Sequence, residues 1–281
     1  MNVDMELKQN FCCVYSRPPP DIKSLNTLEL LYTVLVGIIT GFSSGLFGIG
    51  GALISTPLLR ELVELPAYLA LATPLPATLP AAISGSIVYA RKKMLRLDVA
   101  GWVLLTGIPF NLVGVQIVPY VSGPVLMVLT GLMLVYSALV FLKRSAGRKS
   151  GRNISENGGE ENINRGLLLL TGVVAGVLSG FLAIGGGIVM VPAFVQILRL
   201  PTRQALATSL VCVAAFAVPG MIGHSLNGFI DWNVAAVLCI TVFPLSALGA
   251  RFATRMHSHV IELIYGIAML MFAIFFILRN L

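Results

Sequence analysis

The sequence predicts an all-α polytopic membrane protein with two homologous repeats, and three observations support this fold class. Of the 281 residues, 57% are hydrophobic and only 11% are charged, whereas soluble domains are about a quarter charged. Long stretches contain no charged residue, and a membrane crossing takes about 20 apolar residues. The chain also matches itself at an offset of 135 residues, which indicates an internal duplication.

Charge and cysteine usage exclude several classes of protein. The net charge is +7, but Lys and Arg stand in the gaps between apolar stretches, where such residues orient membrane helices. A nucleic-acid partner is therefore not expected. The cysteines have neither metal-ligand nor disulfide spacing, so no metal or other cofactor is predicted. They are Cys12, Cys13, Cys212 and Cys239.

The chain divides into a polar tail, two repeats and a linker. Residues 1–27 are polar and lack the pattern of a cleaved signal peptide, so we expect the first apolar segment to direct insertion. Repeat 1 covers residues 28–142 and repeat 2 covers residues 166–281. Residues 143–165, which are rich in Gly, Ser, Asn and charge, predict a solvated cytoplasmic linker.

The duplication is clearest in Gly41–Gly85, which aligns without a gap on Gly176–Gly220. Sixteen of these 45 positions are identical, and they include Gly, Pro, Ser and Thr residues. Apolar composition alone would align Leu with Leu but would not keep these residues in register. Each repeat is expected to contain a broken Gly-rich helical element and three transmembrane helices, which gives about eight hydrophobic segments.

The broken element is predicted from its length and its glycines. Leu30–Leu59 has 30 charge-free residues, too many for one straight crossing and too few for two. Its centre, Gly41–Gly51, has the weakest helix propensity, which indicates two shorter helices joined by unwound backbone. Gly166–Leu198 is predicted to have the same design. Paired interrupted segments of this kind point to the binding site of a transporter.

The sequence leaves two topologies open. If each broken element is a hairpin, the repeats are inverted; if it crosses once, they are parallel. Both arrangements place 14 Lys and Arg residues inside and 5 outside, so the positive-inside rule is tied on count. Basic residues close to helix ends favour inverted repeats, although that arrangement must translocate the polar tail. We therefore expect inverted repeats.

The paired glycine motifs predict an anion site. Ser44–Gly51 and Ser179–Gly187 each place backbone amides just before a new helix, where leading N–H groups lack partners and attract anions. Glycine lets a ligand approach the backbone closely, and serine and threonine hydroxyls add donors. The candidate substrate-binding residues are Ser44, Gly48, Gly50, Gly51, Thr73, Ser179, Gly185, Gly186, Gly187 and Thr208.

Helix packing is the alternative explanation for small residues in membrane helices. We interpret the small-residue spacings of Gly37–Gly45 and Gly172–Gly180 as packing surfaces. The binding interpretation is kept for the adjacent glycines that follow, because adjacent glycines break helices more than they pack them. Pro57 and Pro192 are expected to shape their helices.

Four other polar residues lie in or near the spans. Asn111 is expected to bond a neighbouring helix or to line the path, and Arg251 either neutralises an incoming anion or orients its helix. His224 is expected at the interface, with a proton-linked role as the alternative, and Glu262 is expected to reach water. No carboxylate is predicted deep in a span, which argues against an Asp/Glu relay for protons or sodium.

An enzyme is also considered, because Gly41–Gly45 fits the G-x-S-x-G nucleophile pattern. The repeat partner of Ser43 is Leu178, so the supposed nucleophile is not the duplicated residue. No strand is predicted before the motif, and no histidine has a repeated carboxylate partner. The chain is therefore not expected to be an enzyme.

The paired G-x-x-S-G-x-x-[GA]-I-G-G motifs with a following proline, at Gly41–Pro57 and Gly176–Pro192, resemble those of the TauE/SafE family of membrane permeases. The resemblance covers the chain apart from its tail. It implies a duplicated permease for sulfite, sulfoacetate and other organosulfonates, in most cases an exporter. The sequence departs from the motif at Ala183, and Ala52 stands opposite Gly187, so the two half-sites need not be equivalent.

The sequence thus predicts a multi-pass cell-membrane transporter that carries a small sulfur-containing anion outward by alternating access. Its expected partners are this anionic substrate and the lipid bilayer. An anion channel of the same architecture is one alternative, and a non-transporting membrane scaffold or enzyme is another.

Overall fold

The computed structural model describes residues 26–149, 165–196 and 198–280, and this part of the chain consists of helices and short connections. In chain order the helices are α1 (Thr27–Phe47), α2 (Ala52–Leu62), α3 (Ala67–Ala72), α4 (Leu75–Arg91), α5 (Leu97–Ile117), α6 (Gly123–Lys149), α7 (Arg165–Leu182), α8 (Gly187–Gln196), α9 (Thr202–Leu226), α10 (Trp232–Arg255) and α11 (Ser258–Asn280). Among the described residues, seven segments are long and apolar enough to span a membrane, with α3 and α4 counted as one. The predicted all-α polytopic fold is confirmed.

The helix starts recur at the offset of the sequence repeat. Ala52 and Gly187, which begin α2 and α8, are 135 residues apart. Three further pairs of starts have this spacing: Ala67 and Thr202, Leu97 and Trp232, and Gly123 and Ser258. Repeat 1 and repeat 2, called copy 1 and copy 2 below, differ where α3 ends while α9 continues. Pro74 has no backbone N–H to donate to the helix, whereas its counterpart Ser209 does.

Two hydrogen bonds between the copies show their relative direction. The hydroxyl of Thr73, just before α4, accepts the backbone N–H of Asp231, just before α10 and after α9 ends, over 3.1 Å. In the same way Thr208, early in α9, accepts the N–H of Arg96, after α4 ends, over 3.2 Å. The start of each helix therefore lies beside the end of its counterpart. α4 and α9 are antiparallel, as inverted repeats require.

The broken element of copy 1 is a hairpin. A Cβ placed on Gly51, just before α2, would lie 3.3 Å from the Cβ of Ser44 and 3.1 Å from the backbone oxygen of Thr40 in α1. Further along, Leu59 of α2 and Val36 of α1 belong to one apolar cluster. α2 therefore returns alongside α1, which is the geometry that the inverted topology predicts.

Each broken element packs against the other copy, with α1 along α10 and α7 along α5. A Cβ on Gly45 would lie only 1.9 Å from the backbone oxygen of Ser246, and a Cβ on Gly180 only 2.0 Å from that of Asn111. Ser246 and Asn111 are equivalent positions. Lipid supplies no hydrophobic force between helices, so close backbone contact of this kind stabilises the fold. These contacts support the interpretation of Gly37–Gly45 and Gly172–Gly180 as packing surfaces.

The boundary of the predicted linker is corrected by α6. This helix continues to Lys149, so the first seven residues assigned to the linker are helical. The physical reason is that Lys143–Ala146 are mostly good helix formers. Residues 150–164 of the linker and residues 1–25 of the polar tail lie outside the described part of the chain.

Two polar residues expected near water are buried instead. Glu262 has no exposed surface, because it lies on α11 against the start of α9, where its carboxylate accepts a 2.5 Å hydrogen bond from the hydroxyl of Thr202. His224 has no exposed surface either, because α7 and α5 cover the last turn of α9. Both expectations from the sequence were wrong.

The contact at Gly180 generates a stability prediction. Gly180→Val would force α7 away from α5, and overpacking of this kind costs about 3 kcal/mol of unfolding free energy. Thermal melting of the purified protein in detergent measures the loss. Gly101→Ala in α5 is the control, because a Cβ there meets nothing within 4 Å. Equal melting temperatures for the two variants would contradict the proposed packing.

The packing of α6 on α11 generates a topology prediction. Ser145 near the end of α6 hydrogen-bonds His259 near the start of α11 (3.1 Å), and the earlier Ser137 hydrogen-bonds the later Tyr265 (2.8 Å). These helices are therefore antiparallel. Epitope tags placed in residues 150–164 and after residue 281 should be labelled from opposite sides of the membrane in intact cells. Labelling of both tags from one side would exclude the arrangement.

Candidate functional site

Two short turns interrupt the broken elements. Turn 1 (Gly48–Gly51) joins α1 to α2, and turn 2 (Ala183–Gly186) joins α7 to α8. Six residues of the turns have φ between 51° and 84°, and five of them are glycine, which adopts this conformation readily: Gly48, Gly50, Gly51, Ala183, Gly185 and Gly186. The break in copy 1 is shorter than the Gly41–Gly51 stretch predicted from the sequence, because residues 41–47 continue α1.

The two turns are in contact with each other. A Cβ on Gly187, the first residue of α8, would lie 2.6 Å from a Cα atom of turn 1. Any residue with a side chain would therefore clash with the backbone of turn 1. Thr78 of α4 and Val213 of α9, which are equivalent positions, lie between the turns. A Cβ on Gly50 would be 2.7 Å and 2.5 Å from their side chains, and a Cβ on Gly185 would be 3.2 Å and 3.1 Å away. The structure therefore brings the two predicted half-sites together.

Each turn lies beside a buried serine hydroxyl that has no partner. Ser44 and Ser179 are 0% and 2% exposed, and neither Oγ makes a hydrogen bond. A Cβ on Gly51 would lie 3.3 Å from the Cβ of Ser44, and one on Gly186 would lie 3.1 Å from that of Ser179. Gly51 is the N-cap of α2, and no side chain caps this helix. Since an unpaired buried polar group costs about 1–3 kcal/mol, two such serines beside helix starts indicate a place for a polar ligand.

A small cavity adjoins turn 1. It offers about 10 Å³ to the centre of a water molecule, which is room for roughly one water. Its lining includes Gly50, Gly51 and three hydroxyl residues, Thr40, Ser55 and Thr78, and it contains no charged side chain. Each hydroxyl donates to a carbonyl of its own helix over 2.7 to 3.1 Å. It can therefore turn toward a ligand for the loss of one such bond.

Copy 2 lacks this hydroxyl lining. The positions equivalent to the three hydroxyl residues are Ala175, Met190 and Val213. Phe216, which has an alanine counterpart in copy 1, fills the space beside turn 2. A Cβ on Gly186 would lie 3.1 Å from the ring of Phe216 and 3.2 Å from the side chain of Met190. One half-site is therefore lined by hydroxyls, and the other is apolar apart from its serine.

Thr73 and Thr208 contact the opposite copy, and their place in the ligand shell stays a prediction. Their hydroxyls accept backbone N–H groups of the opposite copy and so hold the two copies together. Ser209 contacts turn 1 instead, because its hydroxyl donates to the backbone oxygen of Gly48 over 2.7 Å. The repeat gave no signal for Ser209, since its counterpart is Pro74.

The other predicted residues divide into buried and exposed ones. Asn111 is fully buried. Arg251 is exposed near the end of α10, where an arginine can orient its helix, and its place on the path stays a prediction. Pro57 and Pro192 lie inside α2 and α8, where each removes one helical hydrogen bond. Whether they shape these helices stays a prediction.

Comparison with known proteins gives matches along nearly the whole chain. The family described as Sulfite exporter TauE/SafE matches residues 33–276. A probable membrane transporter protein of Xylella fastidiosa strain 9a5c is 28% identical over 258 residues, which cover 90% of this chain and 96% of that protein. The probable membrane transporter protein YdhB of Bacillus subtilis is 27% identical over 235 residues, covering 84% and 93%. The corresponding protein MJ0441 of Methanocaldococcus jannaschii is 26% identical over 239 residues, covering 80% and 86%. No solved structure matches the chain.

Proposed function

Because this chain belongs to the Sulfite exporter TauE/SafE family and is a membrane transporter, we propose that it carries a small sulfur-containing oxyanion, such as sulfite or an organosulfonate, out of the cell. The observation that carries the proposal is the pair of buried, unpartnered serine hydroxyls beside the two glycine turns. The name of the family supports the choice of a sulfur oxyanion.

The anion is held by the leading N–H groups of α2 and α8 together with Ser44 and Ser179. The N-terminus of a helix carries partial positive charge, so it stabilises an anion without a fixed cation. The cavity beside turn 1 supports this role, because its hydroxyls add hydrogen-bond donors and its lining is uncharged.

Transport proceeds by alternating access between the two antiparallel copies. In the present conformation the turns touch, and the cavity has room for roughly one water, so the site is closed. Admission of an anion requires the turns to separate, first toward one side and then toward the other. A cell interior at negative potential favours exit of an anion by about 2.3 kcal/mol per charge per 100 mV.

A channel differs from this carrier in the concentration dependence of its flux. The direct contact between the turns favours a carrier, because a channel needs one continuous path through both half-sites. Sulfite flux into liposomes should therefore saturate with rising concentration. Linear flux at concentrations far above those that protect the protein from thermal unfolding would indicate a channel.

Removal of the serine hydroxyls tests the site. Ser44→Ala and Ser179→Ala should leave the melting temperature of the ligand-free protein unchanged or slightly raised, because each removes an unpaired buried group. Each variant should raise the KM for sulfite about tenfold, the value of one hydrogen bond to an anion. Sulfite uptake into liposomes provides the KM.

Ser137→Ala is the matched control for these variants. Its hydroxyl is buried in a 2.8 Å hydrogen bond to Tyr265. This change should lower the stability by about 1 kcal/mol and leave the KM unaltered. If Ser44→Ala and Ser179→Ala behave like Ser137→Ala, the two serines are packing residues and the proposed site is wrong.

The hydroxyl lining of copy 1 is tested by two isosteric changes in α1. Thr40 and Thr33 are both buried, and each donates to the carbonyl four residues earlier, over 2.7 Å and 2.8 Å. Only Thr40 lines the cavity. Thr40→Val should raise the KM for sulfite several-fold, whereas Thr33→Val should not, and both should change the melting temperature alike. Equal KM values for the two variants would show that the cavity is not part of the anion site.

A further inference from the structure

A buried polar junction forms where α5, α7 and α9 meet. The Nε2 atom of His224, in the last turn of α9, lies 3.0 Å from the backbone oxygen of Gly180 in α7. The side-chain oxygen of Asn111 in α5 faces α9 one turn before this histidine, 3.7 Å from the position of a Cβ on Gly220. His224 and Asn111 both have no exposed surface.

Three polar atoms of this junction have no partner. They are the nitrogen and the oxygen of the Asn111 amide and Nδ1 of His224. The equivalent junction of copy 1 is fully bonded: Tyr89, the counterpart of His224, donates to the oxygen of Gly45 over 3.1 Å, and Ser246, the counterpart of Asn111, donates to Ala81 over 2.7 Å. The unpaired atoms are therefore specific to copy 2. Because most buried polar groups in native proteins are hydrogen-bonded, these unpaired atoms indicate a role other than packing.

The hydrogen bond to Gly180 determines the chemistry of the imidazole ring. A carbonyl only accepts, so Nε2 carries the proton, and Nδ1 of the neutral ring presents a lone pair. Histidine is the side chain that ordinarily gains a proton between pH 5 and pH 8. Gly180 lies in the last turn of α7, where the negative end of the helix dipole stabilises an imidazolium ion.

The surroundings of the ring supply no permanent counter-charge. Titratable or charged groups on the nearest elements are Tyr68, Asp98, Tyr120, Arg165 and Asp231. Cys212 lies about three turns earlier in α9, and the groups near the opposite end of α9 are Arg203 on α9 itself, Tyr89 and Arg91 on α4, and Glu262 on α11. Asp98 and Arg165 are in the first turns of α5 and α7, at the ends away from the junction, and Tyr120 is exposed. The hydroxyl of Tyr68 donates to the backbone oxygen of Val121, and the carboxylate of Asp231 caps α10.

We propose that His224 takes up a proton at Nδ1 when the anion binds, so that one proton crosses the membrane with each anion. A singly charged anion then crosses without net charge, and the membrane potential acts only on the charge that remains on a doubly charged anion. The proposal rests on the proposed function, since Ser179 of the anion site directly precedes Gly180, to which the ring is bonded. Burial of an imidazolium is costly without a negative partner, and the bound anion provides that partner. The proton comes from water on the side of entry, forms the Nδ1–H bond, and returns to water on the side of release. Asn111 offers its amide N–H to the anion.

The experiment uses the full-length protein in liposomes that contain a pH-sensitive dye, with methanesulfonate and sulfite as the probes. Methanesulfonate carries no proton of its own in this pH range, so acidification of the lumen during its uptake reports a proton moved by the protein. The wild-type protein should acidify the lumen, and its uptake should slow several-fold as the pH on the side of entry rises from about 5.5 to about 8.

His224→Tyr is the decisive variant, because it installs the residue that copy 1 uses to bond the equivalent carbonyl. It should take up the anion at the slow rate that the wild type shows near pH 8, lose at least tenfold of the acidification per anion and show a flat pH profile. His224→Gln, which keeps an N–H at the same place, provides the same test if the tyrosine variant does not fold. His259→Gln is the control and should behave like the wild type.

The outcomes separate the two proposals. Uptake of anion without acidification by the wild type, or undiminished acidification by His224→Tyr or His224→Gln, would overturn the proton site and leave the proposed function standing. Failure of the wild type to take up either anion would overturn the proposed function itself, and the proton site with it.

Discussion

A polar group buried in lipid has no water to bond, and this constraint governs the structure as a whole. α1 and α7 end inside the protein, so their last carbonyls need donors. Tyr89 supplies one to Gly45, His224 supplies one to Gly180, and Ser209 supplies one to the oxygen of Gly48 in the turn that follows α1. The broken helices therefore have their acceptors occupied by side chains, whereas no side chain caps the start of α2. This imbalance between acceptors and donors is the basis on which we propose an anion as the substrate.

The two copies have kept one backbone plan and diverged in side chains. Copy 1 places hydroxyls around turn 1, whereas Phe216 and Met190 fill the equivalent space of copy 2. Copy 2 in turn has an unpaired amide on Asn111 and an unpaired Nδ1 on His224, whereas their counterparts in copy 1, Ser246 and Tyr89, are hydrogen-bonded. In the proposed mechanism, copy 1 contributes most of the anion contacts while copy 2 carries the proton. The same mechanism requires the closed turns to open toward either side, which suits the antiparallel packing of the copies.

The sequence predicted the broken helices and placed Ser44 and Ser179 beside them, because small and polar residues in register leave a signal that apolar composition does not imitate. The role of the two serines in binding stays a prediction. The sequence placed the start of the break too early. Residues 41–47 remain helical, because Gly41 and Gly45 let α1 pack closely on α10. The sequence also placed His224 and Glu262 near water, because the distance to a segment end does not show which helices cover that end. A repeated threonine is compatible with a contact between the copies and with a ligand contact. The hydrogen bonds of Thr73 and Thr208 show the first, and the second stays a prediction.

Diffraction from crystals grown with selenite, a heavier analogue of sulfite, locates the bound anion, because selenium gives an anomalous signal. We predict a selenium peak beside the turns, with the oxygen atoms of the anion about 3 Å from Oγ of Ser44 or Ser179 and from the first amides of α2 or α8. A peak at another place in the protein, with both serines still unbonded, would contradict this prediction.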